Sequence, residues 1–65
     1  MSPALRVAAA LYADAAVHEE IAEQFRGTGE AYFEQLVVGH ERSAQLAYRQ
    51  ADAMVRTHTL TQRSA

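Results

Sequence analysis

The sequence predicts an all-α protein, an antiparallel hairpin of two long helices that associates into a four-helix bundle dimer or a higher oligomer. Three observations carry this reading. Fourteen of the 65 residues are alanine, three are glycine and one is proline, a composition that favours helix and excludes a turn-rich β fold. Apolar positions recur at alternating spacings of three and four along two long stretches, the period of a heptad seam. One break, Gly27-Thr28-Gly29, separates the stretches and is short enough to send the second helix back along the first.

The first helix is expected over 3–26. Ser2 followed by Pro3 reads as an N-cap and first helical position, because the serine hydroxyl can accept from an orphan amide and proline has no amide to leave unsatisfied. Its seam is Ala4, Val7, Leu11, Asp14, His18, Ile21 and Phe25. Gly27 suits the left-handed position past a helix C-terminus, and Thr28 suits the N-cap of the next helix. The turn is therefore placed at 27–28 and the second helix at 29–58, with a seam of Phe33, Val37, His40, Ala44, Ala47, Ala51 and Met54. Gly39 costs about 1 kcal/mol against alanine, too little to stop a helix of this length. The threonine-rich tail, 59–65, is expected to fray.

Folding the helices about the turn opposes seam positions whose numbers sum to 58: Phe25 with Phe33, Ile21 with Val37, His18 with His40, and Val7 with Ala51. Two helices present a stripe but enclose no core. Leu5, Tyr12, Val17, Leu36, Val38, Leu46, Tyr48 and Val55 lie off the seam, and a second hairpin is the simplest cover for them. A domain of about 60 residues buries only about 60% of its unfolded surface, and with no cysteine the chain has no disulfide to compensate.

Charge narrows the partners. The net charge of −2 divides into −4 over residues 1–34 and +2 over residues 35–65, so an acidic helix lies beside a basic one. Arg42, Arg49, Arg56 and Arg63 stand seven apart in one exposed row, which suits solvent or inter-subunit ion pairs. Nucleic acid is not an expected partner, because the domain is net acidic and has no lysine. A membrane is not an expected partner either, since no apolar run approaches a span and a basic amphipathic membrane helix fails for the same reason as nucleic acid. Met1-Ser2-Pro3 opens without a charged segment before an apolar core, so the expected location is the cytoplasm, or outside the cell by a route other than a Sec leader. The expected partner is a second copy or a related helical protein.

One constellation could carry chemistry. The register opposes His18 to His40, with Asp14 one turn below His18 and Glu41 beside His40. Two imidazoles with nearby carboxylates could hold zinc, iron or manganese between helices. The Glu-x-x-His signature of ferritin-like bundles is missing, since Val37 stands three before His40. The alternative is a polar layer that fixes register at some cost in stability. Catalysis by the isolated chain is not expected. Ser43 and His40 share a helix without an oxyanion hole, and Gly27-Thr28-Gly29 lacks the lysine and preceding strand of a phosphate loop.

The turn, Phe25-Arg26-Gly27-Thr28-Gly29-Glu30-Ala31-Tyr32-Phe33, resembles the hairpin loop of the WXG100 (ESAT-6-like) proteins, with Phe25 standing in place of the family's tryptophan. Tyr48-Arg49-Gln50-Ala51-Asp52 is similar to that family's Tyr-x-x-x-Asp/Glu export signal, though it lies closer to the turn. The resemblance implies a helical hairpin that pairs into four-helix bundles and leaves the cell by type VII secretion. Phe25 and Gly27 would then form the turn, and Tyr48 and Asp52 the signal. Two functional readings follow. The first is a non-enzymatic helical interaction module or subunit, for which the resemblance implies secretion in the WXG100 manner and which needs no cofactor. The second is a metal-binding bundle using His18 and His40.

Overall fold

The computed structural model describes residues 2–64, which form two helices, α1 over Pro3–Phe25 and α2 over Ala31–Ser64. They pack side by side along their length into a hairpin 53 Å long and 15 by 11 Å across. Ser2 caps α1: its side chain accepts from the Leu5 amide at 3.2 Å, and Pro3 occupies the first turn.

The turn is longer than the two residues expected. Arg26 leaves α1 in an extended conformation, and both Gly27 and Gly29 have φ of +80°. That left-handed conformation is open to glycine and costly for residues with a Cβ. It also keeps Gly29 out of the helix, so α2 starts at Ala31 rather than 29. The first backbone bond of α2 runs from the Glu34 amide to the Glu30 carbonyl at 2.9 Å. Thr28 stands two residues too early to cap this start, and its hydroxyl lies 3.5 Å from the Glu30 amide.

The other end also departs from expectation. Instead of ending at His58, α2 runs helical to Ser64, while Ala65 lies outside the described residues. The threonines conform because their hydroxyls turn back onto the helix: Thr59 donates to the Val55 carbonyl at 3.0 Å and Thr61 to the Thr57 carbonyl at 2.9 Å. With 34 residues against 23, α2 outruns α1.

The buried residues are Ala8, Ala15 and Ala22 from α1 and Val37, Ala44, Ala47 and Ala51 from α2. The α2 side coincides with the seam read from the sequence. On α1 the seam is displaced by one residue at alternate positions, so Ala8, Ala15 and Ala22 replace Val7, Asp14 and Ile21. Val7 is exposed, and Ile21 is only half-buried. The reason is steric. Alanine lets two helix backbones approach closely and loses no rotamer freedom on burial, whereas valine or isoleucine on both sides would hold them apart. The resulting interior is thin, and among the described residues no large side chain is fully buried.

The surface reflects that thinness. The hairpin exposes 4808 Å², against about 4,100 Å² for a compact monomer of 7.2 kDa. Its radius of gyration is 15.2 Å, against about 11 Å for a compact domain of 65 residues.

Candidate functional site

Both helices contribute to a ladder of side-chain contacts along the seam and one flank of it. Beside the turn, the Phe25 and Phe33 rings stack with centroids 5.1 Å apart and planes 5° from parallel, and Tyr32 meets Phe33 edge-on. Arg26 follows, donating to Glu41 at 2.7 Å and lying 3.8 Å from Glu23. The next rung is the histidine pair. Tyr12 and Tyr48 then approach with ring centroids 6.0 Å apart, and the Tyr12 hydroxyl donates to the Asp52 carboxylate. The last rung joins the Ser2 hydroxyl to His58 Nδ1 at 3.2 Å. His58, the expected last residue of the second helix, is thus half-buried and bonded across the hairpin.

His18 and His40 meet with their Nδ1 atoms 2.8 Å apart and their rings 31° from parallel. At that separation one nitrogen donates and the other accepts, which fixes opposite tautomers on the two rings when both are neutral. Asp14 lies outside the seam. Its carboxylate is 3.5 Å from Nε2 of His18, the nitrogen facing away from His40. Glu41 is engaged by Arg26. Of the four residues considered for a metal, then, two oppose their ring nitrogens, one sits behind an imidazole, and the fourth belongs to another rung. Among the described residues, no group of three His, Asp or Glu side chains converges as a metal would require.

The residues singled out for a turn and export signal have separate surroundings. Phe25 is stacked, and Gly27 provides a left-handed turn residue. Tyr48 and Asp52 lie inside α2, and both face α1 partners: Glu19 hydrogen-bonds Tyr48, and Tyr12 bonds Asp52. The phenols of Tyr12 and Tyr48 are held above the ordinary value of 10.0. The main cause is the hydrogen bond to Asp52 for Tyr12 and to Glu19 for Tyr48, with desolvation and the carboxylate charge adding to it.

A raised phenol pKa stabilises the hairpin with the hydroxyl protonated. The contribution is whole below the unfolded value of 10.0 and is lost as pH rises through the higher folded value. In an absorbance titration, the folded protein should form phenolate later than the urea-unfolded chain, and Tyr12→Phe should narrow the gap. Coincident curves for folded and unfolded wild type would sink this assignment.

A shallow surface depression is lined by Glu34, Gln35, Val38, Gly39 and Arg42, all from α2. It is a notch left by Gly39, where an added Cβ would meet nothing within 4 Å. No nucleophile with an adjacent base lines it. Among the described residues, no helix is long and apolar enough to cross a membrane.

Two rungs were not anticipated, Tyr12–Asp52 and Ser2–His58. Extending the facing register from the turn would have found the second, since the summed numbers drift only from 58 at His18–His40 to 60 at Tyr12–Tyr48 and Ser2–His58, whereas the Tyr12–Asp52 bond reaches one helical turn past the facing Tyr48. No protein-family model, characterised protein or solved structure matches this chain.

Proposed function

We propose that this protein is a non-enzymatic helical interaction module whose working form is a homo-oligomer, in its simplest version a four-helix bundle of two hairpins. One observation carries the reading: the broad face away from the ladder carries several large apolar side chains, at least half exposed or nearly so at Val7, Val17 and Leu46, with Asp14 among them. Tyr12, Arg26, Glu41 and Tyr48 define the ladder flank by their contacts across the helices. Heptad geometry puts Val7, Val17 and Ile21 of α1, and Leu36 and Leu46 of α2, on the opposite side. Val7, Val17 and Leu46 are 46%, 52% and 56% exposed, and a second copy docked on this face would cover them together. A face of 53 by 15 Å offers about 800 Å², the share each partner gives to an interface of standard size.

The WXG100 likeness adds export to this proposal. Tyr48 and Asp52 have α1 partners, so an export receptor would read them on the folded hairpin and not on a loose tail.

The 2.8 Å approach of His18 and His40 favours a second reading. Two ring nitrogens on one side, with the Asp14 carboxylate behind Nε2 of His18, match half of a transition-metal site and its outer hydrogen bond. The remaining ligands would come from solvent or a second copy.

Native mass spectrometry of untagged protein, prepared without chelator, tests both. A metal-free dimer or higher oligomer is the expected spectrum. Integral metal abolished by His40→Ala would move the second reading to first place. A folded monomer without metal would remove both.

A further inference from the structure

Arg42, Arg49, Arg56 and Arg63 recur every seven residues along α2, about 10.5 Å apart at the rise of an α-helix. Arg42 and Arg49 each follow by one position a residue in contact across the hairpin, Glu41 and Tyr48. The row therefore runs about 100° further round the helix, on its outer edge. Arg56 stands near enough to Tyr12 for its charge to oppose the rise in that phenol's pKa, which the bond to Asp52 chiefly causes. The edge thus borders the ladder flank and lies away from Val7 and Ile21.

This edge has no counter-charge of its own. Among the described residues, none of the four arginines forms an ion pair. An exposed helix can balance such a row with carboxylates three or four positions away. Here those positions are uncharged except for Asp52, which accepts from Tyr12. Toward the turn the row runs into the notch left by Gly39, where Arg42 lies beside Val38 and Glu34 stands at the far side. Val38 is 46% exposed there.

We propose that this edge binds an acidic amphipathic helix of another protein, its carboxylates spaced seven apart against the arginines and one apolar side chain seated in the notch against Val38. Charge complementarity sets the chemistry of the partner. The repeat of seven sets its form, because two helices packed along one another keep step at that spacing. A second copy does not fit. Within either helix of this chain the only acids seven apart are Glu34 and Glu41, and Glu41 is held by Arg26. A long polyanion fits poorly too, since residues 18–41 carry six glutamates against Arg26, a balance of −5 that repels it beyond the row. The same glutamates fix the register, because the partner's acidic run must stop at Arg42. Docking here leaves the face argued for self-association free, so either interaction can fail without the other.

Fluorescence anisotropy with labelled synthetic peptides tests this. The probe is an alanine-rich helix of four heptads with glutamate at every seventh position and a leucine beyond the last glutamate. Its control has the same composition in scrambled order. The ordered peptide should bind at least about tenfold more tightly than the control, and 1 M salt, which cuts the screening length to about 3 Å, should abolish binding. Arg49→Gln with Arg56→Gln should weaken it about tenfold, the worth of two exposed ion pairs at the upper end of their range. Glutamine is as good a helix former as arginine, so the hairpin persists. Gly39→Leu should also weaken binding with every arginine in place, and it is tolerated because an added Cβ meets nothing within 4 Å. No binding, equal binding of ordered and scrambled peptides, or an affinity untouched by the paired glutamine variant would overturn the proposal. Tighter binding of a single-stranded oligonucleotide of equal charge would overturn it in favour of a phosphate polymer.

Discussion

Ala15→Leu should lower the thermal midpoint of this protein by about 10 °C or more, whereas Ala16→Leu one position away should leave it nearly unchanged. Overpacking costs about 1–3 kcal/mol, and each kcal/mol moves the midpoint of a domain this small by about 4–8 °C. Ala15 is fully buried, in a cluster with Ala44 and Ala47 against which Tyr48 packs, and Ala16 is exposed. A leucine at 15 has no cavity to enter, so the helices must part and the ladder with them. The effect is large relative to the total because the interior consists of alanine and one valine. Circular dichroism melts of the two variants check it. An unchanged or higher midpoint for Ala15→Leu would mean that close helix approach is not what holds the hairpin.

Val17→Ser with Leu46→Ser should weaken the proposed dimer by about three orders of magnitude without loss of helix in the monomer. Each side chain is more than half exposed in the hairpin, at 52% and 56%, so neither stabilises it much. In the dimer each would contribute about 1 kcal/mol or slightly more from the area still uncovered. The four sites of a symmetric pair together approach about 4 kcal/mol, at about 1.4 kcal/mol per decade in dissociation constant. Val38→Ser is the matched control. Val38 is 46% exposed but lies two heptads from Asp52, on the ladder side, and should leave association unaffected. Sedimentation equilibrium of the three proteins decides. Equal losses for the double variant and the control would show that the opposite face is not the interface.

How much of this was readable in the sequence differs between the helices. Along α2 the heptad pattern identified the packed positions, because Ala44 stands between Ser43 and Gln45 and Ala51 between Gln50 and Asp52, which fixes how the helix turns. Along α1 it did not. Alanine occupies 8, 9 and 10, and again 13, 15 and 16, so apolar character alone cannot separate adjacent faces. A ranking by hydrophobicity favours Val7 and Ile21, while the geometry of close-packed helices favours the smallest side chain.

The opposition of His18 to His40 needed only the turn and a heptad count. The Ser2–His58 bond required the count to be carried past its drift, and the Tyr12–Asp52 bond reaches one turn beyond the position facing Tyr12. The turn was misplaced by two residues because a threonine after glycine looks like a cap, and nothing local showed that Gly29 would also take a positive φ. The helical tail was missed for a related reason: threonine is a weak helix former by itself, and a hydroxyl bonded back to the carbonyl four residues earlier is not visible in a propensity scale.

The ladder has a kinetic meaning as well as a structural one. Phe25 and Phe33 are the nearest rung in sequence, and His18–His40, Tyr12–Tyr48 and Ser2–His58 enclose progressively longer segments of chain. The entropy of closing a loop rises only with the logarithm of its length, and each rung shortens the free loop that the next must close. No rung needs distant segments to find each other before nearer ones have met. The topology orders its own assembly from the turn outward, like a zip, and places this chain among folds whose contacts form quickly because they form locally first.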